Sequence, residues 1–260
     1  TSGNNVTLND TNALILGAST VSGTLGVTTA GALTQSGALN VTGTTTLAAG
    51  AANNITLNNA ANNFSTVGIT SGNNVALTDA NALILGAFTV SGTLGVTTAG
   101  ALTQSGALTV TGVTTLAAGA ANNITLANAG NDFSTVAVTS GNAVSLTDAN
   151  ALILGASTVS NNLVLSTGGA VTQTGVLTVA GTTSFTTTAA NTDILLASQA
   201  NNLTGAVSFG GTLTNFRDFA LRNTNAGATV PSFAGLTNLR NLTLTFNNAP
   251  VALPGFTLTA

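Results

Sequence analysis

The chain has 260 residues and a formal charge of -3, and it contains no His, Cys, Met, Trp, Tyr, Lys or Glu. Those absences exclude disulfide staples, thiolate and imidazole metal ligands, a serine nucleophile with its activating base, and the basic surface that collects nucleic-acid phosphates. Only 3% of the residues are charged, against about 25% in ordinary soluble domains, so solubility must come from Thr, Ser, Asn and exposed backbone.

No stretch approaches the roughly 18 consecutive apolar residues needed to span a bilayer. The sequence opens on Thr1 with neither Met nor a basic-then-apolar leader, and it reads as an internal or processed fragment.

The phrase TSGNNV at residue 1 returns at residue 70, and as TSGNAV at residue 139, a spacing of 69 each time. Residues 1–69 and 70–138 align without gaps, with 58 identities and 11 differences. The third copy drifts after Ser160, gains one residue near 191–194, and loosens from Leu203 onward. This predicts three repeats, 1–69, 70–138 and approximately 139–207, in a repeat region assigned to residues 1–202. Residues 203–260 are then divergent coils or a loop excursion of the same domain.

Within each copy the apolar residues come as short alternating triplets separated by Gly, Asn, Thr or Ser, the mark of half-buried strands. In chain order the second copy predicts strands around 67–69, 75–77, 83–85, 94–96, 102–104, 108–110, 114–116, 124–126 and 133–136. Nine strands per repeat imply three coils of three strands, about 23 residues per coil. Such strands bury their apolar face only against neighbouring coils. The predicted fold is all-β, a right-handed parallel β-helix or solenoid, roughly 50 Å long at about 4.8 Å per turn.

Gly and Asn, including Asn53-Asn54 and Asn122-Asn123, are assigned to corners, where they tolerate positive φ. Phe64 and Phe133 share one repeat position and are expected to stack in the core, while Phe and Pro crowd the end of the chain, with Pro231, Pro250 and Pro254.

The phrases NDFSTVAVTSGNAVSLTDANALILGASTVS from Asn131, TTAGALTQSGALTVTG from Thr97 and TTLAAGAANNITL from Thr114 resemble the repeat regions of filamentous-haemagglutinin-type exoproteins. The resemblance covers nearly the whole chain. It implies a β-helical shaft of a large Gram-negative protein exported by two-partner secretion, with roles in adhesion, aggregation or biofilm. The style also occurs on autotransporter passengers, so it points to a shaft and not to a ligand.

Candidate sites are few. Asp10, Asp79 and Asp148 recur at the repeat spacing, but one repeat separates them by about 14 Å along the stack, and calcium needs six to eight oxygens. They read as turn caps. The basic residues Arg217, Arg222 and Arg240 all lie in the divergent end, and Arg217, Asp218 and Arg222 read as a surface ion pair. Asn-x-Ser/Thr triplets at Asn5, Asn54, Asn123 and Asn241 are compositional, and the Thr residues do not form the strict column of an ice-binding face.

No catalytic, cofactor-binding or metal-binding residue is therefore assigned, and no enzyme is expected. The expected function is a structural shaft in an extracellular surface adhesin or fibre, with a self-assembling matrix or filament protein as the alternative. Its partners would be flanking repeats of the parent protein, end-to-end copies of itself, and a host or neighbouring-cell surface reached through other regions, with neither nucleic acid nor a membrane span involved. With so few charges, stability is expected to vary little with pH near neutrality.

Overall fold

The computed structural model describes residues 2–253 and 255–259; Thr1, Pro254 and Ala260 lie outside them. Among the described residues the only helical element is a single 3-10 turn, Leu213–Asn215, and every other regular element is a strand. The two-residue alternation decides which side chains turn inward. In Leu94–Thr98, for instance, Leu94, Val96 and Thr98 are buried while Gly95 and Thr97 face outward.

All strand pairing is parallel and links one turn of the chain to the next. Val6 lies on Leu25, Leu25 on Thr45 and Thr45 on Val67, so that a single column is revisited once per turn. The result is a parallel β-solenoid of about 12 turns, about 20 residues apart. At about 4.8 Å per turn it is a rod roughly 55–60 Å long.

The turn is shorter than the roughly 23 residues implied by nine strands per repeat, because each repeat holds a further strand piece. Leu83–Val90 pairs in two parts, Leu83 to Leu85 on Leu102 to Gln104 and Phe88 to Val90 on Leu108 to Val110. Ten pieces distributed over three faces make three turns and one extra face. Val75, the repeat counterpart of Val6, accordingly does not share its column: it stacks on Ile55, in the column that begins with Leu14 and Leu33. Successive repeats are rotated by one face about the rod axis.

Beyond residue 183 the turns widen. Thr183 lies on Val207 and Ile194 on Phe219, each a longer step along the chain than any between the first turns, and Phe219 in turn lies on Leu242. The wider coil holds an aromatic cluster, with the Phe209 ring 5.0 Å from both Phe216 and Phe219, and Phe233 5.2 Å from Phe256. The last strand, Asn241–Phe246, pairs only with Phe216–Asn223. The divergent segment thus continues the stack, and the stretch between Asn223 and Asn241, which forms no strand, still buries Phe233, Leu236 and Leu239 in the core.

One inward Thr in every repeat is left without a partner. Thr45, Thr114 and Thr183 are fully buried, each between a Leu and a Val of adjacent turns, and each Oγ1 is without a hydrogen-bond partner. A buried hydroxyl left unpaired costs about 1–3 kcal/mol. Thr114→Val preserves shape and removes that cost, so it should raise the thermal midpoint by about 2–4 °C for each kcal/mol regained; calorimetry showing a lowered midpoint would mean that the hydroxyl is satisfied.

Candidate functional site

The polar side chains that turn inward form two recurring arrangements. In the first, Gln35 and Asn62 from successive turns bond reciprocally: Gln35 Nε2 donates to Asn62 Oδ1 at 2.8 Å, and Asn62 Nδ2 donates to Gln35 Oε1 at 2.9 Å. Asn62 also accepts the Leu39 amide and donates to the Leu57 and Thr78 carbonyls. The same amide pair recurs at Gln104 and Asn131 and again at Gln173 and Asn201. In the third case the separation along the chain is one residue longer, the inserted residue being absorbed in the connecting turn.

Sequence reasoning missed these pairs, although a signal was present: three of the four Gln residues fall at 35, 104 and 173, the repeat spacing. Each pair ties two turns together where the chain leaves a strand, so it fixes the corner that carries the next strand. Asn131→Ala would leave the Leu108 amide and the Leu126 carbonyl unpaired in the interior. That change should cost roughly 3 kcal/mol in denaturant unfolding, from two or three orphaned groups at about 1 kcal/mol or more each.

The second arrangement holds two of the three repeat aspartates. Asp79 and Asp148 are each 2% exposed. Asp79 Oδ1 accepts the Phe64 amide at 3.0 Å, and Asp148 accepts Phe133 at 2.7 Å and Asn150 at 2.7 Å. The Ala80 and Asn81 amides face Asp79, but its Oδ2 has no partner of hydrogen-bond geometry. Asp10, in the first turn, is half-buried and accepts the Asn12 amide. The carboxylates cap turns, and the rotation of each repeat places successive ones on different faces. Among the described residues no three acidic, His or Cys side chains group as a metal site.

The charged residues of the divergent end form a ladder across three turns. Arg217 makes a two-pronged ion pair with Asp193, and Arg240 pairs likewise with Asp218 at 2.6 and 3.2 Å, while Asn241 also donates to Asp218. Arg217 lies 3.7 Å from Asp218. Arg222 stands apart and donates to Asn247. The expected ion pair is therefore present but differently composed, because strand register sets Arg217 beside Asp193 and leaves Arg222 further along the same strand. Half-exposed Arg residues in such pairs contribute little to stability.

Burial pushes the Asp79 and Asp148 carboxyls above the ordinary value of 3.8, outweighing the amides that bond them. Burial acts the same way on Asp218, but there the hydrogen bonds from Arg240 and Asn241 and the adjacent positive charge win and hold it below 3.8. Between 3.8 and the raised values the folded chain therefore binds more protons than the unfolded one, and stability falls as pH rises. The contribution of Asp218 is present above 3.8 and is lost below it, as pH falls through its lowered value. The thermal midpoint should peak near pH 4 and decline both toward neutrality and toward stronger acid. Melting curves in which it climbs steadily from pH 4 to 7 would contradict this.

The assigned corners are corners, with a different division of labour. Asn53 Nδ2 donates to the Ala49 carbonyl at 2.7 Å and to Ala30 of the turn below at 3.3 Å, and Asn122 repeats this with Ala118 and Ala99. The left-handed backbone falls on Gly50 and Gly119, at φ +84 and +83, while the only non-glycine positive φ among the described residues is at Asn191. Gly turns the chain, and Asn pins it to its neighbour.

A family profile described as repeats of unknown function (DUF5649) matches residues 3–71, 72–140 and 141–210. No curated protein and no solved structure matches the chain.

Proposed function

The chain belongs to the family of DUF5649 repeats, and from that premise we propose that it serves as a rigid spacer, a shaft segment of a large secreted bacterial surface adhesin or fibre. The observation that carries this reading is the unbroken parallel stack from the strand Ser2–Gly3 to Asn241–Phe246. A stack of this kind converts added residues into added length, which is what a spacer requires. The resemblance to filamentous-haemagglutinin-type repeats supports an extracellular location on the bacterial surface and a part in adhesion or biofilm. Among the described residues no helix is long and apolar enough to cross a membrane.

The role is structural and involves no reaction. Flanking repeats of a parent protein would be its immediate neighbours, with contact to a host or neighbouring cell made by other regions. The alternative, a self-assembling extracellular matrix or filament protein, draws on the strands that pair on one side only at the rod ends.

A variant with residues 70–138 duplicated in place gains three turns and one face, or about 16 Å at about 4.8 Å per turn. Small-angle X-ray scattering should show the maximum dimension growing by about that amount at constant cross-section. A rounder or kinked particle would sink the spacer reading, and spontaneous growth of long fibres at low concentration would favour the alternative.

A further inference from the structure

Residues 6–19 form a face that is finished for a neighbour, whereas Thr20 and Val21 already lie on Ser2 and Gly3. Val6–Asp10 pairs only with Leu25–Thr29, and Leu14–Leu16 only with Leu33–Gln35. Their counterparts in the second repeat are paired on both sides, Val75–Asp79 with Ile55–Leu57 below and Leu94–Thr98 above. The inward residues are the same in the two repeats. Val75, Leu77 and Leu83 are at most 2% exposed, whereas Val6, Leu8 and Leu14 are only partly buried. Ile15 is 65% exposed against 37% for Ile84.

Two details point to what covers this face. At Gly155 a Cβ would lie 2.9 Å from the Ala137 Cβ of the turn below, closer than the two can sit without a shift, and at Gly86 one would lie a tight 3.3 Å from the Gly68 Cα, so the covering coil leaves little room for a side chain there. Gly17 stands at the same repeat position with nothing within 4 Å. Its lack of a side chain answers to no neighbour within the chain.

The second detail is Ser19. Its Oγ donates to the Gly17 carbonyl at 3.0 Å, as Ser157 Oγ does to Gly155 at 3.0 Å. Ser157 Oγ also accepts the Val138 amide of the coil beneath it at 3.1 Å. In the second repeat the position belongs to Phe88, which lies over Ile69. Ser19 is thus matched to an ending like Ala137-Val138, and not to Gly68-Ile69.

The beginning of that junction is already in place. Ser22 donates to Gly3, Gly23 to Asn4 and Thr24 to the Asn5 side chain. Ser91, Gly92 and Thr93 do the same with Gly72, Asn73 and Asn74.

We propose that the face of residues 6–19 is the landing surface for the last coil of another repeat of this family, with residues corresponding to 124–126 and 135–138 stacking on it in parallel register. The occupant is a repeat joined in tandem and ending in the manner of Ala137-Val138. The inference rests on the spacer reading and narrows its neighbour to one surface and one sequence type.

The test fuses an additional copy of residues 70–138 ahead of residue 1 and follows hydrogen exchange. The amides of Val6–Asp10 and Leu14–Leu16 should slow at least about tenfold, toward the rates of Val75–Asp79 and of Leu83 to Leu85. Gly17→Ala should be harmless in the original chain and should reverse that slowing in the fused one. Two outcomes overturn the proposal: unchanged exchange at residues 6–19 while the added repeat is itself protected, or Gly17→Ala being equally harmless in both proteins. A third is end-to-end association of the original chain that protects residues 6–19, since it would assign the face to the C-terminal end of another copy. None of these outcomes depends on rod length, so the spacer reading is judged separately by scattering.

Discussion

Parallel backbone pairing between one turn and the next is the interaction on which this molecule depends. Its strand pieces are mostly three to five residues long, too short to bury anything alone, and their inward Leu, Val and Ile find apolar partners only across the rod and in adjacent turns. Leu33, Leu102 and Leu177 are fully buried for that reason, each between a turn above and a turn below. The end turns have one such neighbour, and the first turn is correspondingly more exposed than its copies.

A narrow interior made by stacking must also satisfy the polar groups at every corner. The Gln35, Gln104 and Gln173 pairs with Asn62, Asn131 and Asn201 do this by bonding two turns at once. Asp79 and Asp148 cap backbone amides where the chain bends between strands. These groups specify register, because a slip by one residue would turn every inward side chain outward and leave several buried donors and acceptors orphaned. The unpaired Thr hydroxyls at 45, 114 and 183 play no such part, being inward polar groups without a bonding role.

The rotation of each repeat by one face sets what the surface of the rod presents. A strict three-turn repeat would align like residues in a straight line along the rod. Here a given residue moves to the next face with each repeat, so no face accumulates a uniform row of one side chain. A surface of that kind suits a spacer, which gains from length without presenting one repeated adhesive stripe. The divergent end departs from this economy, with wider turns, a cluster of Phe rings and all three Arg residues in ion pairs or hydrogen bonds.

The sequence by itself determined the all-β class, the stacking of coils and the three repeats, because alternation and a fixed repeat period are local properties of the text. It also marked Asp10, Asp79 and Asp148 as turn residues and Asn53 and Asn122 as corner residues. Only the tertiary structure decided the pitch, since Phe88 to Val90 becomes a paired strand through contact with residues 69–72 and 108–110, and nothing in its own alternation separates it from Leu83 to Leu85. Only the tertiary structure joined Gln104 to Asn131 and Arg217 to Asp193, which meet across turns although they stand far apart along the chain. The bareness of Gly17 likewise became visible only in three dimensions, because a glycine reveals what it makes room for through the backbone that lies against it.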